Sequence, residues 1–305
     1  MCGPDSGAHI ARWIPMIEQA SDAGHAPATE LWSVFEVMGV ARPQSWDRAF
    51  DLLVRAAEQG SLSAKRQLLV LARSDIADRQ ALANDDSAFW ERTRADISIS
   101  QLLCHPERVS LSDAPRIRVI GRFAHRAECA WMIDRARSRL SRAKVIDLSG
   151  QQNVDGGRSN SGAEFLVQDM DVVMEVIRTR ISSATKVPIP VFEPTQILHY
   201  DVGEEFRPHF DFLDPSNAGY RQNLESGQRI ATFLIFLNDD FEGGETQFPD
   251  VRINYRGRTG DAIFWANVDM QGRPDPLTRH AGLPPTAGEK WILSQWIRDR
   301  TAPTR

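Results

Sequence analysis

The residues of this 305-residue chain best suited to joint chemistry are histidine, aspartate and one lysine in its C-terminal half. The stretch RPHFDF, Arg207 to Phe212, sets His209 and Asp211 two residues apart, and HYD, His199 to Asp201, repeats that spacing ten residues upstream. Alternate residues of a strand project to the same side, so either pair could aim an imidazole and a carboxylate into one interior. Spacing does not choose between them, because both lie in stretches that read as strand. A third ligand is at hand in His280, within LTRHAGLPP, just past the predicted strand GDAIFWAN. Two imidazoles and one carboxylate on one face leave three open positions, which suits a non-haem Fe(II) that takes a cosubstrate and oxygen together. The plain alternative for His280 is a loop residue bonded to backbone.

Ten residues beyond His280 comes KWILSQW. Alternation puts Lys290, Ile292, Ser294 and Trp296 on one face and Trp291, Leu293 and Gln295 on the other. A lysine on so apolar a strand either reaches the rim or meets a carboxylate, since an unpaired internal ammonium is costly. Solvated lysine is the common case; a dicarboxylate ligand would make the second case attractive. In FEGGETQFP, Gly243 and Gly244 permit a sharp turn, after which Thr246 and Phe248 point to one side. Taken alone, that stretch is a hairpin.

The elements that must hold these residues are short strands. TQILHYD, RIATFLIFLN, GETQFP, GDAIFWAN and KWILSQWIRD are rich in Val, Ile, Phe, Trp and Thr and are punctuated by Gly, Pro, Asn and Asp. They predict an antiparallel sandwich or jelly roll. PRIRVIGRF from Pro115 adds a strand, while AECAWMIDRARSRLS and QDMDVVMEVIRTRISSAT have the helical period. Cys129 falls on the apolar face of the first of these helices and reads as a buried small residue. The expected class is α+β. Residues 74–114 read as a polar connection with one helix in SAFWERTRADISISQLL.

The N-terminal stretch has a different texture. ASDAGHAPA and AAEQGSLSA place Ala20 and Ala56, Gly24 and Gly60, and Ala28 and Ala64 each 36 residues apart. The glycines fall where helices need a left-handed stop, and Ser45 is placed to cap the helix that follows.

Composition sets the outer bounds. Apolar residues make up 42% and charged residues 25%, with a net charge of −5, which argues against broad capture of nucleic acid or an anionic membrane. No run approaches a membrane span. The N-terminus lacks the pattern of a secretory signal. Three scattered cysteines, Cys2, Cys104 and Cys129, form no metal motif or disulfide framework. A reducing, cytoplasmic setting is the expectation.

In this order the C-terminal motifs resemble the prolyl 4-hydroxylase family of 2-oxoglutarate- and iron-dependent dioxygenases. The likeness runs from about Pro115 to Arg298 and is densest from Tyr200. It is carried by Tyr200, Gly203, Phe206, His209, Asp211, Arg229, Thr232, GGETQFP, GDAIFWAN, HAG and GEKWILSQWIR. The family's tyrosine stands nine residues before its first iron ligand, which selects His209 and Asp211 over His199 and Asp201. The resemblance implies a double-stranded β-helix, or jelly roll, with supporting helices. Its iron ligands would be His209, Asp211 and His280. Lys290 would pair with the distal carboxylate of 2-oxoglutarate, helped by hydrogen bonds from Tyr200 and Thr246, and Trp296 would wall the pocket. Arg158, Arg229 and Arg298 match positions that face peptide substrate, although Arg158-Ser159-Asn160 departs from the family's usual Arg-Thr-Ser.

The implied reaction couples oxidative decarboxylation of 2-oxoglutarate, with O2, to hydroxylation of a proline in an extended protein segment. Succinate and carbon dioxide are co-products, and ascorbate is a candidate auxiliary. A free amino acid or other small molecule is the rival substrate class, and an inert β domain on an interaction scaffold is the rival from another class. A cupin-type isomerase is conceivable on fold grounds, but the lysine and tyrosine favour the oxygenase. The N-terminal helices resemble Sel1-type repeats over about residues 8–73, which implies either partner recruitment or a helical cap. The domains expected are 1–75 Sel1-like repeats, 76–114 a helical linker, and 115–300 the dioxygenase, with the polar loop 147–163 able to close over a peptide.

Overall fold

A computed structural model of the chain describes residues 13–74, 79–142, 145–146, 152–153 and 157–301. Cys2, residues 8–12 of the repeat-like segment, and residues 147–151 and 154–156 of the loop 147–163 lie outside the described residues. The chain divides into two compact units. One comprises 1–104, 168–180 and 304–305; the other comprises 105–167 and 181–303.

The first unit is helical: Ile14–Asp22, Ala26–Met38, Trp46–Glu58, Leu62–Leu71, Arg79–Leu82, Ser87–Ala95 and Ile99–Leu103. Local chemistry sets its breaks. The side chains of His25, Ser45 and Ser61 accept from the backbone N–H of Ala28, Arg48 and Ala64 and so cap three of the helix starts. Gly24 and Gly60 adopt φ of +88° and +89° just beyond helix ends, where a Cβ would be strained. Phe50, Leu53 and Leu68 are fully buried among these helices. A polar knot ties them as well, with Thr29 Oγ1 2.7 Å from both Ser21 Oγ and Gln59 Oε1. The stretch 87–103, expected as one helix, is two, because Ser98 caps a fresh turn by accepting from Gln101 N–H. The helix Val172–Thr185 contributes its residues through Arg180 to this unit, where Val172 N–H donates to Gln67 Oε1 at 3.1 Å.

The second unit is built on antiparallel sheets, as the strand pattern predicts. The strands in chain order are β1 (Val109–Asp113), β2 (Arg116–Ile120), β3 (Ser141–Arg142), β4 (Val145–Ile146), β5 (Gln152–Asn153), β6 (Ser161–Phe165), β7 (Thr195–Tyr200) and β8 (Phe206–His209). Then follow β9 (Arg229–Phe236), β10 (Glu242–Gly243), β11 (Thr246–Phe248), β12 (Ile253–Tyr255), β13 (Ala262–Ala266), β14 (His280–Gly282), β15 (Pro285–Ala287) and β16 (Lys290–Arg298). Eight of them form a large sheet ordered β1-β2-β13-β9-β16-β7-β6-β3, and four form a smaller one ordered β12-β11-β14-β8. The first strand, β1, lies within the stretch read as connection, so the sheet starts before Pro115. Phe236, Phe248, Trp265 and Ile292, drawn from both sheets, form one buried cluster. This is the double-stranded, jelly-roll arrangement of the α+β expectation. The helix Arg126–Arg137 starts at a capping box of His125 and Glu128 and buries Cys129. Among the described residues no helix is long and apolar enough to cross a membrane.

Candidate metal and cosubstrate site

The smaller sheet sets two histidines face to face. Pairing of β8 with β14 puts His280 opposite His209, with ring centroids 4.3 Å apart. Each ring uses Nδ1 on a backbone carbonyl, His209 on Arg207 O at 2.8 Å and His280 on Thr278 O at 3.0 Å. A carbonyl only accepts, so Nδ1 carries the proton and Nε2 keeps its lone pair. The backbone bond expected of a merely structural His280 is therefore what prepares it as a ligand. Phe206 stacks on His209 at 3.4 Å and 15° and fixes the ring plane.

Strand β8 ends at His209, so Asp211 does not reach the site by strand alternation. It lies in the bend that follows, with Oδ1 3.6 Å from His209 Nε2 and Oδ2 3.3 Å from His280 Nε2. Ligand-type atoms of His209, Asp211 and His280 all fall within 4.8 Å of one another. Burial would push the Asp211 carboxyl up, but the two imidazoles and the Thr232 hydroxyl outweigh it and hold it well below the usual carboxylate range. Burial, with His209 beside it, pushes His280 down to about 4 against the pull of Asp211. At neutral pH the set offers one carboxylate and neutral nitrogen, a donor set that fits Fe(II).

The larger sheet supplies the opposite wall. Its β16–β7 register pairs Lys290 with Tyr200, and the ammonium lies 4.8 Å from the Tyr200 ring centroid. Lys290 is only 2% exposed; it does not reach the rim. Burial pushes it down to about 7, with Glu245 opposing. A buried amine with so little compensating charge fits an anionic ligand. Burial likewise pushes the Tyr200 phenol up to about 12, so it stays a hydrogen-bond donor. Lys290, Ile292, Ser294 and Trp296 all line one pocket with Tyr200, Thr246, His209, Asp211 and His280, as alternation along KWILSQW requires. Two glycines make room: a Cβ on Gly244 would meet Phe241 at 2.9 Å and the Lys290 stem at 3.2 Å, and one on Gly282 would meet the Tyr200 hydroxyl at 3.2 Å.

The three arginines separate. Arg158 lines the pocket, 3% exposed, with Nε donating to Asn160 Oδ1 at 2.9 Å and its guanidinium 4.5 Å from the Phe206 ring centroid. Arg229 and Arg298 do not line it. Both are held by Glu193: Arg229 through Nε at 2.6 Å and Nη2 at 2.8 Å, Arg298 through Nε at 2.8 Å. Arg229 instead backs the pocket wall, its guanidinium 3.7 Å from the Trp296 ring centroid. Burial would push Glu193 up, yet the two guanidinium groups hold it down. The sequence reading passed over Glu193, whose only hint is an acid in the otherwise apolar PVFEP. It also passed over the roles of Thr232, which donates to Asp211, and of Asn267, which donates to Thr232.

His199 lies on the opposite face of β7 from Tyr200. Its Nδ1 is 3.2 Å from Ser161 Oγ and its Nε2 is 2.9 Å from Glu289 Oε2. His199, Asp201 and Glu204 also bring ligand-type atoms within 4.8 Å. There the Asp201 side chain is 72% exposed and both imidazole nitrogens are engaged.

Comparison with known proteins bears on the same segment. A model of the 2OG-Fe(II) oxygenase superfamily matches residues 195–298. "Probable prolyl 4-hydroxylase 4" of Arabidopsis thaliana is 32% identical over 69% of this chain and 77% of its own length. "Probable prolyl 4-hydroxylase 10" of the same plant is 31% identical over 62% of this chain and 70% of its own. "Prolyl 4-hydroxylase subunit alpha-1" of Rattus norvegicus is 34% identical over 62% of this chain, which spans only 35% of that subunit.

Proposed function

Because the chain belongs to the prolyl 4-hydroxylase family of 2-oxoglutarate- and Fe(II)-dependent oxygenases, we propose that it hydroxylates proline, at the 4-position, within an extended segment of a protein. The observation that carries this reading is the pocket itself. His209, Asp211 and His280 converge on one side of it, and the buried Lys290 and Tyr200 stand on another.

Bound at the three ligands, Fe(II) with 2-oxoglutarate and O2 supplies the oxidising power for C–H hydroxylation, with succinate and carbon dioxide as co-products. The chain's own residues do the positioning. Lys290 neutralises the distal carboxylate of 2-oxoglutarate in a setting that strengthens the pair. Tyr200 and Thr246 donate hydroxyl hydrogens to the same carboxylate. Trp296, braced by Arg229, closes the wall and keeps water out. Arg158, steadied by Asn160, meets the substrate, while Arg229 and Arg298 act through the wall that Glu193 holds in place. The relatives' names support proline as the residue hydroxylated.

A reducing, cytoplasmic setting belongs to this proposal, supported by the odd number and scattered placement of Cys2, Cys104 and Cys129. So does a protein partner for the Sel1-like helices, whose exposed Trp13, Met16, Leu31 and Leu62 support it. The test is succinate formation by the full chain with Fe(II), 2-oxoglutarate and O2, with and without ascorbate and a proline-rich peptide. Peptide-stimulated turnover with 4-hydroxyproline in the product is the expected result. Turnover driven by a free amino acid, with no peptide response, would overturn the substrate assignment.

A further inference from the structure

Asp211 is held by a two-step relay. Thr232, in β9, donates its hydroxyl to Asp211 Oδ2 at 2.6 Å, and Asn267, one residue beyond β13, reaches Thr232 Oγ1 through Nδ2 at 3.0 Å. All three are buried, at 3%, 1% and 0% exposed. A hydroxyl has one hydrogen to give, and an ionised carboxylate can only accept, so the Thr232 hydrogen is committed to Asp211. The contact with Asn267 must then be one that Thr232 accepts, which obliges Asn267 to present its NH2.

That orientation leaves a cost in view: Asn267 Oδ1 is buried with no hydrogen-bond partner among the described residues. An unsatisfied buried carbonyl is destabilising, and an apolar residue of similar size would avoid that loss. The backbone at Asn267 is already secured, its N–H donating to Ile230 O at 2.8 Å and its C=O accepting from Asp275 N–H at 3.0 Å. The side chain is not needed to hold the strand end. Its one polar contact of use is the donation to Thr232.

We propose that Thr232 and Asn267 are positioning residues that fix the rotation and hydrogen-bond polarity of Asp211 as a metal ligand, and so set the site's affinity for a divalent cation. This rests on reading His209, Asp211 and His280 as the ligands. Without the amide, the Thr232 oxygen loses the donor that orients it, and its own donation to Asp211 is held less firmly.

Anaerobic Mn(II) titration of the full chain, followed by electron paramagnetic resonance, tests it alongside thermal melts. Wild type should bind the cation and Asp211→Ala should not. If Asp211→Ala binds as wild type does, the ligand reading itself fails, separately from the relay. Thr232→Val should weaken binding by about 10–100-fold, the usual size of an outer-partner loss, while Thr232→Ser stays within about threefold. Asn267→Leu should weaken it about three- to tenfold without lowering the melting temperature, because it also removes the orphaned carbonyl. In a Thr232→Val background, Asn267→Leu should change nothing further. Wild-type affinity in Asn267→Leu, or an equal loss in both backgrounds, would overturn the relay. Should Asn267→Leu fail to fold, Asn267→Ala carries the same expectations for affinity.

Discussion

Two His-x-Asp pairs ten residues apart share a local pattern and meet opposite surroundings. At His209 and Asp211 the carboxylate is buried, His209 and His280 each spend only Nδ1 on a carbonyl, and the two imidazoles face each other across a strand pair. At His199 and Asp201 the imidazole is buried but both nitrogens are engaged, and the aspartate side chain is 72% exposed. The difference is one of supply. A metal needs vacant lone pairs converging where water is scarce, and only the downstream pair has neighbours that leave them vacant. The same one-residue logic separates Tyr200 from His199 and Lys290 from Glu289, since neighbours on a strand face opposite sides.

The strongest way to break the comparison is to remove the imidazoles one at a time. His209→Ala or His280→Ala should lose bound metal and reduce succinate formation to background, whereas His199→Ala should keep turnover within about threefold, its side chain touching neither ligand nor pocket. Metal content and succinate yield on the same preparations check this.

Next in size is Lys290. Lys290→Ala should raise the KM for 2-oxoglutarate about 10–100-fold, the size of one charge-assisted hydrogen bond of about 1.5–3 kcal/mol, while Glu289→Gln leaves it unchanged. Initial rates across 2-oxoglutarate concentrations decide it.

The pH dependence sharpens the same contrast. Burial pushes Lys290 down to about 7, well below the usual lysine value, while no ligand is bound. Carboxylate binding needs the ammonium, so the KM should be flat below pH 7 and climb toward about tenfold per unit above it. Between about 7 and the ordinary value the unfolded chain binds more protons than the folded one, so ligand-free stability should rise with pH through that window. Lys290→Met should accordingly melt higher than wild type at pH 6 in the absence of 2-oxoglutarate.

The smallest effects belong to the back face of β7. His199→Ala should cost about 1 kcal/mol, or about 2–4 °C in melting temperature, through lost packing on Trp291 and lost hydrogen bonds. Glu289→Gln should cost less still, its side chain being 37% exposed where it pairs with His199. Thermal melts of the two proteins rank them, and a fall in 2-oxoglutarate affinity in either would dissolve the distinction between the faces.

Much of this site was legible in the linear chain. Alternation along KWILSQW gave the face that lines the pocket, and GGETQFP gave both Thr246 and Gly244, the glycine that clears space beside the Lys290 stem. Alternation gave the wrong reason for Asp211, which sits beyond the end of β8. It also could not show that Arg229 and Arg298 turn to Glu193, because a charge's partner lies across the fold, 36 residues away for Arg229. Nor could it show that residues 168–180 complete the helical unit.

The sequence by itself determined what is periodic or local. Strand faces, the helix cap at Ser45, the glycine stops and the two candidate His-x-Asp pairs all depend on residues a few positions apart. The tertiary structure decided what depends on meeting. Cross-strand register put His280 against His209 and Lys290 against Tyr200; burial between two sheets made a neutral imidazole and a lysine poised near neutrality, while the imidazoles and the Thr232 hydroxyl kept the buried carboxylate ionised. Desolvation and pairing act through space, and no spacing along the chain encodes them.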